Sequence, residues 1–346
     1  MKKLYYATFE KGFGEVVKSI IKKLDKNSRI KTLYDNAVLF FADEHFKMRN
    51  SCFDSAFVVL HNTHKQGVGA INIEMKTLLE KKDLKISLPR ETSSFKLSIL
   101  KENERVMVDN HLKTAFETML KRVTKKTISF FAETELVLLA KEDGETMFMR
   151  AVDTGTEFKK ITTKFGLKPQ LAYLMNYLSN PAANEVSLDA FAGKGIVSSV
   201  RAIAFNKANV IAANEEEEEA KALRKLSKTL KPAGFSVLNY DFLSEEFPIK
   251  FIDKIVTDLT NIGFAQVETY RRFFEKCFSL GVKTVVVAIG KNYDVSRFIS
   301  GKYDIECEIE AQKLNVYKLK IRGWSNVFET SVIKILNIKW YWGKSY

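Results

Sequence analysis

The chain has 346 residues, 46% apolar and 28% charged, enough for about two domains with real cores and too apolar for a disordered chain. Lys and Arg number 55 against 42 Asp and Glu, a formal charge of +13. Five prolines and sixteen glycines exclude a collagen-like or low-complexity chain, and no run approaches the ~18 apolar residues of a membrane span.

The first ~155 residues alternate short strands and amphipathic helices. Leu4–Phe9 reads as a strand. Gly14–Leu24 reads as a helix with Val16, Val17, Ile20, Ile21 and Leu24 on one stripe. Ala37–Phe41 is expected as a strand, Phe57–Leu60 suits either type, and Met75–Lys82 suits a helix. Ser94–Leu100 alternates, with Phe95, Leu97 and Ile99 on one face. A helix over Val108–Val123 and strands over Thr127–Ala132, Glu135–Lys141 and Thr146–Ala151 follow, the last two joined by the tight turn Asp143-Gly144. This pattern predicts a small α+β unit whose helices cover one sheet face.

Residues 156–168 lack periodicity and read as a linker. Beyond them the alternation changes. Helices are expected over Pro169–Leu178, Ile196–Asn206, Glu216–Thr229 and Gln266–Leu280. Strands are expected over Glu185–Ala190, Asn209–Ala213, Phe235–Asn239, Lys254–Thr257 and Lys283–Ile289. That spacing predicts an α/β domain with a parallel sheet covered on both faces. Tyr303–Ile309, Val316–Ile321 and Val332–Ile338 read as late strands.

The strongest local signal is Val186-Ser-Leu-Asp189-Ala-Phe191-Ala-Gly193-Lys-Gly195-Ile196: a strand, an acid at its end, a glycine turn, then a helix. Ligands of open α/β sheets bind beyond the carboxyl ends of the strands, at the switch point. Gly195 stands where a Walker A loop has Ser or Thr, and Ser198 replaces the third dinucleotide glycine, so neither of those motifs is present. An ordinary tight βα turn has the same local pattern.

Asp189-Ala-Phe-Ala-Gly193-Lys-Gly195 resembles the D-x-F-x-G-x-G motif I of S-adenosylmethionine-dependent RNA methyltransferases. Phe165-Gly-Leu-Lys168-Pro169-Gln-Leu-Ala172 is similar to their Leu-x-Pro-x-Leu-Ala entry segment. The subfamily joins a THUMP domain to a methyltransferase that modifies guanine N2. The order of elements from Phe95 to Ala151 looks like THUMP, with a ferredoxin-like piece before it. The resemblance implies a ferredoxin-like and THUMP RNA-binding region over 1–155. It implies a Rossmann-like methyltransferase domain over 169–346, with S-adenosyl-L-methionine as cofactor and tRNA or rRNA as partner.

The same resemblance assigns Lys168, Pro169, Asp189, Phe191, Gly193 and Gly195 to the cofactor. The second strand is expected to end in an acid for the ribose hydroxyls, where Asn214 stands with Glu215 next to it. The run Glu216–Glu219 is equally what a helix start prefers. Asp241 is expected to reach the adenine amine, and Phe242 to pack on its ring. At the fourth strand, family members carry D-P-P-Y or D-L-P-F, whose acid accepts from the target amine and whose aromatic stacks on the base. Here the sequence is Asp258-Leu259-Thr260-Asn261, which keeps the acid and lacks both the proline and the aromatic. Asp258 and Asn261 are the expected catalytic pair, and Phe264 or Tyr270 the alternative stacking rings.

Of the charge, +7 falls in residues 1–160 (29 basic, 22 acidic) and +6 beyond. That spread suits a polyanion across both parts, and equally a lysine-rich solvated surface. Lys121, Arg122, Lys125 and Lys126 are candidate RNA contacts, as are Lys18, Lys22, Lys23 and Lys26 on the first helix. Three distant cysteines suit a reducing, cytoplasmic compartment, and the N-terminus has no signal-peptide core. No metal is expected: His61 and His64 are spaced i, i+3 with no third ligand near. Three readings follow: a guanine-N2 RNA methyltransferase, a catalytically degenerate RNA-binding protein of that fold, or a methyltransferase for another substrate.

Overall fold

The computed structural model describes residues 2–322 except 47, 49–50, 66–68, 82–83, 103, 133, 156, 162–165, 206–208, 231–233, 261–265 and 312. Asn261, Phe264, Phe165 and the strand expected at Val332–Ile338 lie outside the described residues.

The first sheet is built from β1 (Lys2–Thr8), β2 (Arg29–Leu33), β3 (Ala37–Asp43), β4 (Ser55–His64), β5 (Ser94–Lys101), β6 (Glu104–Arg105), β7 (Thr127–Ile128), β8 (Thr134–Ala140) and β9 (Glu145–Ala151). Its order is β2-β3-β1-β4-β9-β8-β5-β6, with β7 beside β5. Helices α1 (Gly14–Leu24), α2 (Ala70–Glu80) and α3 (Asn110–Thr124) are set into it. The expected stripe of α1 holds, since Val16, Val17, Ile20 and Ile21 are buried. Asp109 caps α3 by accepting from Leu112 N–H at 2.7 Å. Period-two burial in β8 sends Leu136 and Leu138 toward α2 and α3, and Val137 and Leu139 to the opposite face. There they are buried together with Tyr6 and Leu39, drawn from strands on the other side of β4.

Two expectations in this half change. Thr127–Ala132 is not one strand: β7 is two residues long and Phe130-Phe131 form a turn. The segment expected as a linker contains α4 (Glu157–Ile161), whose Phe158 and Ile161 are buried.

The second half adds α5 (Pro169–Leu178), β10 (Val186–Asp189), α6 (Ile196–Ala204), β11 (Asn209–Asn214), α7 (Glu217–Leu230), β12 (Phe235–Asn239), β13 (Lys254–Asp258), α8 (Gln266–Ser279), β14 (Thr284–Gly290), β15 (Tyr303–Glu310) and β16 (Leu314–Ile321). The sheet order is β12-β11-β10-β13-β14-β16-β15. The strands from β10 to β14 run parallel, and β16 lies antiparallel between β14 and β15. The order reverses between β10 and β13, so their carboxyl ends frame a crevice. Pro169 opens α5 at a position where the missing N–H costs nothing. At the opposite end of the strands, buried Arg201 of α6 pairs with Glu185, and Lys254 pairs with the same carboxylate at 2.7 Å.

One apolar core joins the two halves. Tyr5, Phe40, Val17 and Ile21 of the first sheet and α1 share it with Leu174 of α5, Val197 of α6, and Val256 and Val286 of the second sheet. Gly12 lies so close to β15 that an added Cβ would stand 2.4 Å from the Glu310 carbonyl oxygen.

Candidate active site

A cavity of about 780 Å³ opens at the carboxyl ends of β10, β11 and β13. Its floor is the turn after β10, and Asp189 organises that turn. One carboxylate oxygen of Asp189 accepts from Thr257 Oγ1 at 2.9 Å, the other from Ser198 N–H at 3.1 Å. Thr257 Oγ1 also accepts from Phe191 N–H at 3.1 Å. The carboxyl is buried, which pushes its pKa up to about 7 against the lowering effect of Thr257 and Ser198.

Both glycines of the turn have left-handed backbones, φ +48° at Gly193 and +76° at Gly195. They differ in what surrounds them. A Cβ on Gly195 would stand 2.1 Å from Leu223 Cδ2, so this glycine serves the packing of α7. A Cβ on Gly193 would meet nothing within 4 Å, so the backbone there is open to the cavity it lines.

The end of β11 separates its two candidates. Asn214 is buried and its amide is committed: Nδ2 donates to Gly193 O at 3.2 Å and Glu219 Oε2 at 2.7 Å, and Oδ1 accepts from Glu216 N–H at 2.9 Å. Glu215 is exposed, lines the cavity, and makes no ion pair among the described residues. Asp241 lines the same cavity and accepts from Leu243 N–H at 2.8 Å. Phe242 reaches the wall, but its ring is 1% exposed and engaged by Phe191, Phe247 and Phe273, so partly exposed Tyr240 and Leu243 are the freer apolar groups there.

Asp258 ends β13 and lines the cavity. Burial raises its pKa, and two bonds from Thr260 oppose that: N–H at 2.9 Å and Oγ1 at 2.6 Å, both to Oδ1. Arg272 and Thr269 of α8 stand on the same wall.

Three expectations are corrected. Lys168 is turned away from the cavity: its ammonium lies 3.2 Å from Glu10 and 3.8 Å from Asp54, and Gly166 and Leu167 line the cavity instead of Lys168 and Pro169. Tyr270 is not a stacking ring, because it is fully buried between Tyr293 and Phe298 and its hydroxyl donates to the Leu259 carbonyl at 3.1 Å. The lysines of α1 are largely engaged at home. Lys18 pairs with Glu15 at 2.5 Å, Lys22 donates to the Ser28 carbonyl, and Lys23 lies over the Tyr177 ring at 5.3 Å.

The second basic cluster is different. Lys121, Arg122 and Lys125 are exposed at the end of α3, Lys126 is half-buried, and none makes an ion pair among the described residues. The chain then leads into Phe130 and Phe131, 67% and 91% exposed. Their rings meet edge to face at 5.5 Å, with Lys96 Nζ 5.7 Å from the centre of Phe130. Read as part of a strand over Thr127–Ala132, the pair carries no sequence signal of its exposure. His61 Nδ1 lies 2.5 Å from a carboxylate oxygen of buried Glu74, and among the described residues no three metal-ligating groups come together. No described helix is long and apolar enough to cross a membrane.

No family model matches the sequence, and no curated protein does. Solved structures do match. TrmN from Thermus thermophilus superposes with a TM-score of 0.73 at 12% identity, covering 93% of this chain and 100% of that one. A "possible methylase" from Clostridium difficile 630 gives 0.70 at 14%, covering 94% and 100%. SMU.472, "a putative methyltransferase complexed with SAH", gives 0.68 at 13%, covering 94% and 99%. Across nearly its whole length the chain shares the fold of these structures, an α/β architecture whose second half is a Rossmann-like sheet.

Proposed function

We propose that the protein is an S-adenosylmethionine-dependent RNA methyltransferase acting on guanine N2 in tRNA or rRNA. The observation that carries this reading is the placement of Asp258 on the wall of the cavity floored by the Gly193 turn. A nucleoside-sized ligand and an acceptor carboxylate then share one chamber, whose volume of about 780 Å³ is in the usual range for such ligands.

The residues present suit the cofactor. The open backbone at Gly193 permits close approach, Glu215 offers a carboxylate to vicinal hydroxyls, and Asp241 offers an acceptor for an adenine amine. S-adenosylmethionine supplies a methyl group activated on a sulfonium sulfur. Asp258 accepts a hydrogen bond from the exocyclic amine and orients its lone pair, so catalysis is mainly positioning and charge complementarity. The base enters the chamber flipped or unpaired.

Residues 1–155 are read as the ferredoxin-like and THUMP RNA-binding region and 169–346 as the methyltransferase domain, with the polyanion meeting the cluster Lys121–Lys126. Exposed Phe130 and Phe131 beside it add faces on which bases stack.

The test is incubation with labelled S-adenosylmethionine and unmodified tRNA and rRNA, followed by nucleoside mass spectrometry. N2-methylguanosine is the expected product. A second reading, a degenerate methyltransferase that only binds RNA, is favoured by the missing proline and aromatic at Thr260 and Asn261. RNA affinity without any methylated product would select it.

A further inference from the structure

The altered segment after β13 contains its own replacement for what it lacks. Proline has no N–H and cannot donate to the acid two residues before it. Thr260 donates twice, through N–H at 2.9 Å and Oγ1 at 2.6 Å, and both bonds end on Oδ1 of Asp258. Two donors fill that oxygen, while Oδ2 receives no hydrogen bond among the described residues. Rotating the carboxylate breaks both bonds at once. The backbone between the two residues is fixed as well. Leu259 N–H donates to the Ala288 carbonyl of β14 at 2.9 Å, its own carbonyl accepts from Tyr270 at 3.1 Å, and its side chain is fully buried. The stiffness a proline supplies is here supplied by hydrogen bonds.

We propose that Thr260 is a positioning residue: it saturates Oδ1 of Asp258 and leaves Oδ2 as the acceptor presented to the amine of the substrate. This rests on the methyl-transfer reading. It also assigns a working role to the residue whose identity most favours the degenerate one. The charge environment agrees. Burial disfavours the charged form of Asp258, whose charge in turn raises Asp189 on neighbouring β10 and Tyr270 on α8, and Glu215, Glu216, Glu219 and Asp241 are the other acids on the cavity wall. Arg272 of α8 and Lys194 of the glycine turn are the cations on the cavity wall. Against burial, the two Thr260 bonds are what favour the ionised, accepting form of Asp258.

The experiment compares wild type, Thr260→Val and Thr260→Ser. Valine keeps the shape and the N–H and removes only the hydroxyl. The 13C carboxyl resonance of Asp258, assigned by its loss in Asp258→Asn, is titrated in each, with melting temperature as the folding control. The expected result is a midpoint about one pH unit higher in Thr260→Val and a wild-type midpoint in Thr260→Ser. An unchanged midpoint in the folded valine variant overturns the proposal.

Methyl-transfer kinetics supply the second readout. In Thr260→Val, kcat is expected to fall about tenfold, with its acid limb displaced by the same shift, while S-adenosylhomocysteine affinity and KM for RNA stay within about twofold. A rate loss matched by lost cofactor affinity overturns it. A shifted midpoint in a protein whose wild type methylates no RNA refutes the methyl-transfer reading and leaves the hold of Thr260 on Asp258 intact.

Discussion

Thr257 stands one strand away from Asp189 and joins it to the rest of the glycine turn, donating to its carboxylate at 2.9 Å while accepting from Phe191 N–H at 3.1 Å. One hydroxyl therefore holds both the acid and the backbone that follows it. Thr257→Val is expected to leave the buried carboxylate short of a donor, at a cost of about 1–3 kcal/mol in stability. It should also weaken S-adenosylhomocysteine binding about tenfold by loosening the turn. Calorimetric titration beside a thermal melt reads both quantities, and unchanged affinity would mean that the turn is held by other contacts.

The two glycines should fail in different ways. Gly193→Trp places a ring in open space on the cavity wall and is expected to abolish S-adenosylhomocysteine binding with a modest loss of melting temperature. Gly195→Ala drives a methyl group against Leu223 and is expected to destabilise by about 1–3 kcal/mol. Unfolding curves and titrations of both variants decide it. Identical phenotypes would refute the distinction.

The raised pKa of Asp189 has a defined sign. An acid lifted from 3.8 to about 7 keeps its proton in the folded protein where the unfolded chain has released it. Stability therefore falls as pH rises through that window, by an amount on the order of a few kcal/mol in total. Asp189→Asn is expected to flatten this part of the profile. Chemical denaturation between pH 4 and about 7.5 measures it. A variant with the slope of the wild type would place the titration elsewhere.

The patch after α3 predicts two separable effects on RNA. Phe131→Ala, and less so Phe130→Ala with its more covered ring, should weaken binding by about 1–3 kcal/mol with the salt dependence unchanged. Removing Lys121 or Lys125 should instead lower the slope of log affinity against log salt by about one per contact. Filter binding across salt concentrations distinguishes them. If the phenylalanine variants change only the slope, base stacking is not their role.

The glycine turn, the alternating strands and the helices of the second half were legible because each rests on local chemistry: hydrophobic period, a helix-opening proline, glycines at positive φ. Less local features were not. Asn214 occupies the expected strand end, yet its amide is consumed by Gly193, Glu216 and Glu219, and no spacing rule announces that. Lys168 sits in the expected entry segment, but Glu10 and Asp54, over a hundred residues earlier, claim its ammonium. Phe130 and Phe131 carry the composition of a strand and stand in water as a turn. Thr260 reads in the sequence as a missing proline, and its two bonds to Asp258 exist only once the backbone after β13 turns back on that carboxylate.

The core that runs from α1 through α5 and α6 to β13 and β14, with Gly12 held against Glu310, has a mechanical consequence. Halves that share buried side chains cannot swing past each other without exposing them, so the patch beyond α3 and the chamber beyond β10 are fixed jaws of one caliper. On the RNA reading proposed above, a polyanion gripped at the first jaw reaches the second only when its own span matches the gap. Selection by such a tool would be selection by length and shape, read before any base is inspected.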